Sequence, residues 1–199
     1  MGRRRAIDVQ DLIDAAARVF ARRGYTDATL ADVAIEAKVS KPTVYQYVDS
    51  KQRLLETIVE QLIYPLGDGI DRIVGGDGSA GGKLDAYIDL HVTSAIRYQP
   101  FYLVLTADQH QLSPQGLRRY QSWARSVDAA AAKLLEQGQH EGKIRSDIDI
   151  PIAVNLLNST LTSIARWFRP GDRYTAEQLT TEVRKYLSGL LVDPATVTG

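Results

Sequence analysis

Residues 29–51 read TLADVAIEAKVSKPTVYQYVDSK, and this stretch decides the fold: it specifies two short amphipathic helices joined by a tight turn. Thr29 followed three residues later by Asp32 is a capping pair, in which the hydroxyl accepts a first-turn N–H and the carboxylate reaches back to the cap. Leu30, Val33, Ala34 and Ala37 then recur at helical spacing, so one face is apolar while Asp32 and Glu36 look outward. Lys38-Val39-Ser40 interrupts this helix. Ser40 caps a second one beginning at Lys41, and Pro42 falls in its first turn, where a missing N–H costs nothing. Val44 and Val48, one turn apart, face inward. That leaves Lys41, Thr43, Gln46 and Tyr47 on the outer side and Tyr45 at its edge, whereas an ordinary solvated helix shows mostly Lys and Glu. Two crossed helices on a turn of three or four residues form a helix-turn-helix.

Outward from this core, the chain begins its patterned region with Ile13-Asp14-Ala15-Ala16-Ala17-Arg18-Val19-Phe20-Ala21-Arg22-Arg23-Gly24-Tyr25 and continues past Lys51 to Leu54-Leu55. With residues 29–37 and VSKPTVYQYVDSK, these motifs give the first 55 residues a specific resemblance to the DNA-binding domain of the TetR family of one-component transcriptional regulators. There are three departures: Lys38 stands where the family usually has Gly, Pro42 where Gly or a small residue is common, and Val48 where Phe is common. A left-handed Lys38 costs on the order of 1 kcal/mol. Val48 leaves less core volume beneath the second helix.

Composition sets the frame. A chain of 199 residues can bury roughly 70% of its unfolded surface. It holds no Cys, so no disulfide framework or thiolate metal site exists, and its three His, at positions 91, 110 and 140, are scattered. No metal and no cofactor is expected. No apolar signal segment follows MGRRR, and the uncharged run 150–165 is too short and too polar for a lipid span. A cytoplasmic protein without membrane association is expected. Net charge is zero overall, yet residues 1–55 carry ten Lys/Arg against seven Asp/Glu, a net +3. Arg3, Arg4 and Arg5 supply that excess, and on DNA they can lie along phosphates or enter a minor groove as a basic arm.

The remainder reads as helices with punctuation and no strand alternation, so the expected fold is all-α: an N-terminal three-helix helix-turn-helix domain plus a larger helical ligand-binding and dimerisation domain. The expected boundaries are 1–50 for the DNA-binding domain, 51–64 for a connecting helix that Pro65-Leu66-Gly67 kinks or stops, with a further turn or two to Val74, and 65–199 for the body. GGDGSAGG, residues 75–82, is expected to be a poorly ordered linker. Further helices span 83–98, 101–109, 113–138, 149–168 and 175–191, the last opened by a capping box of Thr175 with Gln178.

Two regions of the body draw attention. Tyr87, His91 and Tyr98 share one helical face, and Phe101, Tyr102, Tyr120 and Trp123 lie on helices expected to pack against it. An apolar wall with a few placed polar groups is how small-molecule pockets are built, and also how an ordinary aromatic core looks. Near the end, Leu157, Leu161, Ile164 and Phe168 form one stripe and Val183, Tyr186, Leu187 and Leu190 another. Such helices either cover their own core or pair with a second copy in a four-helix bundle. The family resemblance implies a small-molecule pocket in this half and the homodimer.

The expected function is therefore a dimeric, ligand-responsive repressor of a near-palindromic DNA operator. Lys41, Thr43, Tyr45, Gln46 and Tyr47 enter the major groove, with Gln46 reading a base edge. Thr29, Tyr45, Tyr47 and Lys51 hold phosphates. Catalysis is not expected: there is no Cys nucleophile, metal-spaced cluster, phosphate-cradling Gly motif or G-x-S-x-G. The competing reading is a helical small-molecule or lipid carrier that does not bind DNA.

Overall fold

The structure, a computed structural model, describes residues 8–169, 171 and 173–191. Among these residues lie nine α-helices, one turn of 3₁₀ helix (Gln109–Gln111) and no strand. The helices are α1 (Val9–Asp27), α2 (Leu30–Glu36), α3 (Lys41–Tyr47), α4 (Lys51–Gly75), α5 (Ala80–Arg97), α6 (Gln99–Asp108), α7 (Pro114–His140), α8 (Ile150–Trp167) and α9 (Ala176–Leu191).

The start signals act as their chemistry requires. The Asp32 N–H donates to the Thr29 hydroxyl at 3.2 Å and the Thr29 N–H to the Asp32 carboxylate at 2.9 Å, completing the box. Ser40 accepts from the Thr43 N–H, Ser50 from Arg53, Ser113 from Gly116 and Asp149 from Ile152. Thr175 and Gln178 exchange a second reciprocal pair. Each satisfies an N–H that the helix itself leaves open.

Two expectations are corrected. The connecting helix does not stop at residue 64: α4 runs through Pro65 to Gly75. Pro65 is exposed, so the carbonyl that loses its helical partner can face water, while Leu66 and Ile70 are buried and anchor the far half. A Cβ on Gly69 would come within 2.7 Å of Leu90, so Gly69 permits a close approach to α5 and does not end the helix. The glycine-rich linker is also shorter than 75–82. Ser79 caps α5, whose first turn is Ala80-Gly81-Gly82, and the buried Ala80 is fixed by its N–H donating to Glu141 at 2.9 Å.

Two compact units result. The first gathers the described residues up to Ile63 with Pro100–Tyr120; the second gathers Tyr64–Gln99 with those from Gln121 onward. The segment 100–120, placed by sequence in the body, thus packs with the helix-turn-helix. Asp108 accepts the Tyr25 N–H at 3.2 Å, and Arg119 pairs with Glu60 at 2.9 Å. The first unit's core is Leu12, Phe20, Val33, Val44, Leu54, Leu55 and Ile58, with α1 against α2 and α2 against α3. In the second unit α5 is the central element, contacted by α8 and α9 around Tyr87, Ile88, Val92, Leu157 and Leu161.

Candidate DNA-binding interface

Helix α2 ends in a paired hydrogen-bond motif that sets the direction of α3. The Val39 N–H donates to the Ala34 carbonyl at 2.9 Å and the Lys38 N–H to that of Ile35 at 3.1 Å, which forces Lys38 to φ 57°. Lysine thus adopts a conformation better suited to glycine, and the turn closes with it in place. Ser40 then caps α3 and its hydroxyl lies 2.7 Å from that of Thr43. Val44 is fully buried and Val48 nearly so, which fixes the rotation of α3 about its axis.

The consequence is a solvent-facing row. Lys41, Tyr45, Gln46 and Tyr47 are exposed, Tyr45 by 51%, and Thr43 is half-buried. Thr29, Lys41, Tyr45 and Lys51 come together around one open groove of about 490 Å³, with Asp49 and Ser50 also on its wall. Asp49, which the sequence reading did not single out, places a carboxylate where the other groups are cationic or neutral. Arg3, Arg4 and Arg5 lie outside the described residues.

Lys51 departs from its expected role. Its ammonium donates to the carbonyls of Tyr25 at 2.5 Å, Ala28 at 2.8 Å and Thr26 at 3.1 Å, and stands 4.3 Å from the centre of the Tyr25 ring. An ammonium has three protons, and all three are engaged, so Lys51 clamps the end of α1 and has none left for a phosphate. Gly24, at φ 75°, breaks α1 just before these carbonyls.

Other cations of the first unit are held internally. Arg18 and Arg22 grip Glu36 at 2.8 and 2.6 Å, and Arg23 reaches Asp32 at 2.8 Å. Hydrogen bonds from Arg22 and then Arg18 hold the Glu36 carboxyl down at about 2. The Thr29 hydroxyl and amide, ahead of Arg23, lower that of Asp32. These pairs staple α1 to α2. The partners lie 9 to 18 positions apart in sequence, so no local motif announces them.

In the second unit, Tyr87 is fully buried. Its hydroxyl donates to Asn158 at 2.7 Å, whose amide donates to Asp128 at 2.8 Å. His91 is buried one turn on, its ring 4.2 Å from that of Tyr87, and burial pushes its imidazole down to about 4. Tyr98 and Trp123 are half-buried in the same unit. Phe101 and Tyr102 are buried and Tyr120 half-buried in the first. The seven sequence-selected residues therefore divide between the two units.

The stripes expected to meet a second copy are largely used at home. Leu157, Leu161, Ile164 and Phe168 are at most 4% exposed, as α8 turns this face inward, and Val183 and Leu187 are buried as well. Tyr186 alone of the described residues in that set is exposed, and the Leu190 side chain lies outside the described residues. The open apolar side chains of α8 are instead Ile152, Leu156 and Trp167, 60%, 64% and 55% exposed. At 3.6 residues per turn they fall within roughly 60° of one another, opposite the buried stripe.

Among the described residues no helix is long and apolar enough to cross a membrane, and no group of three His, Cys, Asp or Glu stands together.

Comparison with known proteins adds the following. A family model described as bacterial regulatory proteins, tetR family, matches residues 12–58, and one described as tetracyclin repressor-like, C-terminal domain, matches residues 77–191. The chain is 28% identical over 190 residues to the HTH-type transcriptional repressor KstR2 of Rhodococcus jostii (strain RHA1), covering 91% of this chain and 88% of that one. The solved ketosteroid transcriptional regulator KstR2 of Mycobacterium tuberculosis has a similar fold, with a TM-score of 0.87 at 20% identity over 93% of this chain and 95% of that one. AibR, solved in complex with isovaleryl coenzyme A and operator DNA, shares it with a TM-score of 0.77 at 16% identity over 92% and 97%.

Proposed function

Because this chain belongs to the tetR family of bacterial regulatory proteins and is a DNA-binding transcriptional regulator, we propose that it acts in the cytoplasm as a homodimeric repressor released from a near-palindromic operator by a small molecule. The observation that carries this reading is the exposed row of Lys41, Tyr45, Gln46 and Tyr47 on a short helix whose rotation is fixed by buried Val44.

In this mechanism α3 enters the major groove. Gln46 pairs with adenine through its amide, Thr43 and Tyr45 line the adjacent base edges, and Thr29, Lys41 and Tyr47 contact phosphates that set register. Arg3, Arg4 and Arg5 supply further backbone contacts. Two copies about 34 to 36 Å apart, or a multiple of that, read successive half-sites. Lys51 supports the site from behind by holding the loop that delivers Thr29. A ligand in the second unit releases DNA only if it prefers the non-binding arrangement, through a coupling of about 1 to 3 kcal/mol. Helix α4 contributes its first half to one unit and its second half to the other, which makes it the natural carrier. The relatives named as repressors, and a similar fold solved with both an acyl thioester and operator DNA, support the reading.

Selection from a random duplex pool tests it. Recovery of inverted half-sites with a fixed spacing is expected. Enrichment of no sequence, or of single unpaired half-sites, overturns the operator and dimer assignments respectively.

A further inference from the structure

Asp108 is a buried carboxylate, 8% exposed, in a place where its own helix gives it no support. It is the last residue of α6, beside the carbonyls that make a helix C-terminus negative. It precedes the 3₁₀ turn Gln109–Gln111 without capping it. Burial pushes its carboxyl above the ordinary value, against the hydrogen bond from Tyr25. What holds the side chain there lies 83 positions earlier in the chain: Asp108 Oδ2 accepts the Tyr25 N–H at 3.2 Å.

Tyr25 opens a separate turn. Gly24 leaves helical geometry at φ 75° and ψ 155°, and its carbonyl accepts the Ala28 N–H at 3.2 Å. The first amide of such a turn has no partner within it, and Asp108 supplies one. The carbonyls of Tyr25, Thr26 and Ala28 are taken by the Lys51 ammonium. The turn is thus held by an anion at its amide end and a cation at its carbonyl end, the signs that its dipole favours. Thr29 follows directly; it is exposed, caps α2 and stands on the groove wall with Lys41 and Tyr45.

We propose that Asp108 is a positioning residue for DNA binding: with Lys51 it fixes the turn from Gly24 to Ala28, and hence the place where Thr29 and the start of α2 meet a phosphate. This rests on the reading of Thr29 as a phosphate contact. Asp108 acts through the turn and does not itself reach DNA. The sign of its effect separates position from charge. Removing a carboxylate from a DNA-binding protein favours attraction to phosphates, so an Asp108 variant that binds more weakly does so through geometry.

The test uses the full-length protein and the duplex recovered from the random pool. Asp108→Ala should bind it more weakly by roughly two- to tenfold, the worth of one hydrogen bond. Asp108→Asn, equally uncharged but still an acceptor, should restore most of that loss. In double-mutant cycles, Thr29→Ala should cost less in the Asp108→Ala background than in the parent, while Gln46→Ala should cost the same in both. A merely structural loss leaves both cycles additive. In the unaltered protein the Tyr25 amide should exchange slowly with deuterium before DNA is added. Equal or tighter binding by Asp108→Ala, an Asn variant as weak as the Ala one, a Thr29→Ala cost equal in both backgrounds, or a fast Tyr25 amide each overturns the proposal. The amide measurement decides even where no Asp108 variant folds. A pool that yields no duplex overturns the DNA-reader assignment and this proposal with it. A parent that binds its duplex and depends on Thr29, beside an Asp108→Ala variant that binds equally well, removes only the role of Asp108.

Discussion

At Lys51, Lys41 and Gln46, three side chains on one short stretch, different physics gives different measurable signatures. Lys41 is exposed and in the proposed complex neutralises a phosphate, so Lys41→Ala should reduce the slope of log K against log salt by about one unit. Lys51, with its three protons on the carbonyls of Tyr25, Thr26 and Ala28, should behave otherwise. Lys51→Met leaves three carbonyls without their donor and should lower the thermal midpoint and weaken all duplexes, with the salt slope unchanged. A slope reduced by one unit in that variant returns Lys51 to the phosphates. Gln46→Ala should leave stability alone and cost roughly 1 to 3 kcal/mol at one base pair of the operator; uniform weakening on every sequence removes Gln46 from base readout. The cap at Thr29 was legible in the sequence because donor and acceptor sit three residues apart. The Lys51 clamp was not, because its acceptors lie 23 to 26 positions earlier and become neighbours only once α1 and α4 are packed.

Among the elements, α1 and α2 are joined by charge as well as by apolar contact. The Glu36 carboxyl, held at about 2 by Arg22 and Arg18, titrates in the unfolded chain near 4.5. A carboxylate depressed on folding stabilises the fold fully above its unfolded value and loses that contribution as pH falls towards the folded one. The thermal midpoint of the protein should therefore exceed that of Glu36→Gln near neutrality, and the gap should close between about pH 5 and pH 2. A gap that persists at pH 2 means the staple acts by packing alone. The α2–α3 turn offers a second check. Lys38 sits at φ 57°, and Lys38→Gly should raise stability by up to about 1 kcal/mol by urea denaturation, since glycine pays nothing for that backbone region. Helix type and order were legible from caps and periodicity. The passage of α4 through Pro65 was not, because Leu66, Ile70 and the Gly69 approach to Leu90 hold the helix beyond a residue whose local preference is to end it.

For the whole molecule the decisive question is which side of α8 would meet the second copy in the proposed homodimer, and here periodicity is blind: the helix has two apolar sides. Val154, Leu157, Leu161, Ile164 and Phe168 fill the protein's own core, while Ile152, Leu156 and Trp167 face out. A hydrophobic stripe in a sequence states that something must cover it, and only the packed chain says whether that cover is internal. Three large apolar residues left open on one side of a helix are a poor surface for a lone subunit, and in the proposed homodimer they and Tyr186 are the residues that a symmetric partner buries. The two sides then predict opposite failures. Leu161→Glu places a charge in the core and should cost several kcal/mol and much of the helical signal. Leu156→Glu should leave the circular dichroism intact and produce a monomer by sedimentation. Because paired half-sites gain roughly 10² to 10⁴ in affinity from being linked, that monomer should lose about this factor on a two-half-site operator while binding a single half-site as the parent subunit does. A Leu156→Glu protein that still sediments as a dimer moves the interface away from this face of α8.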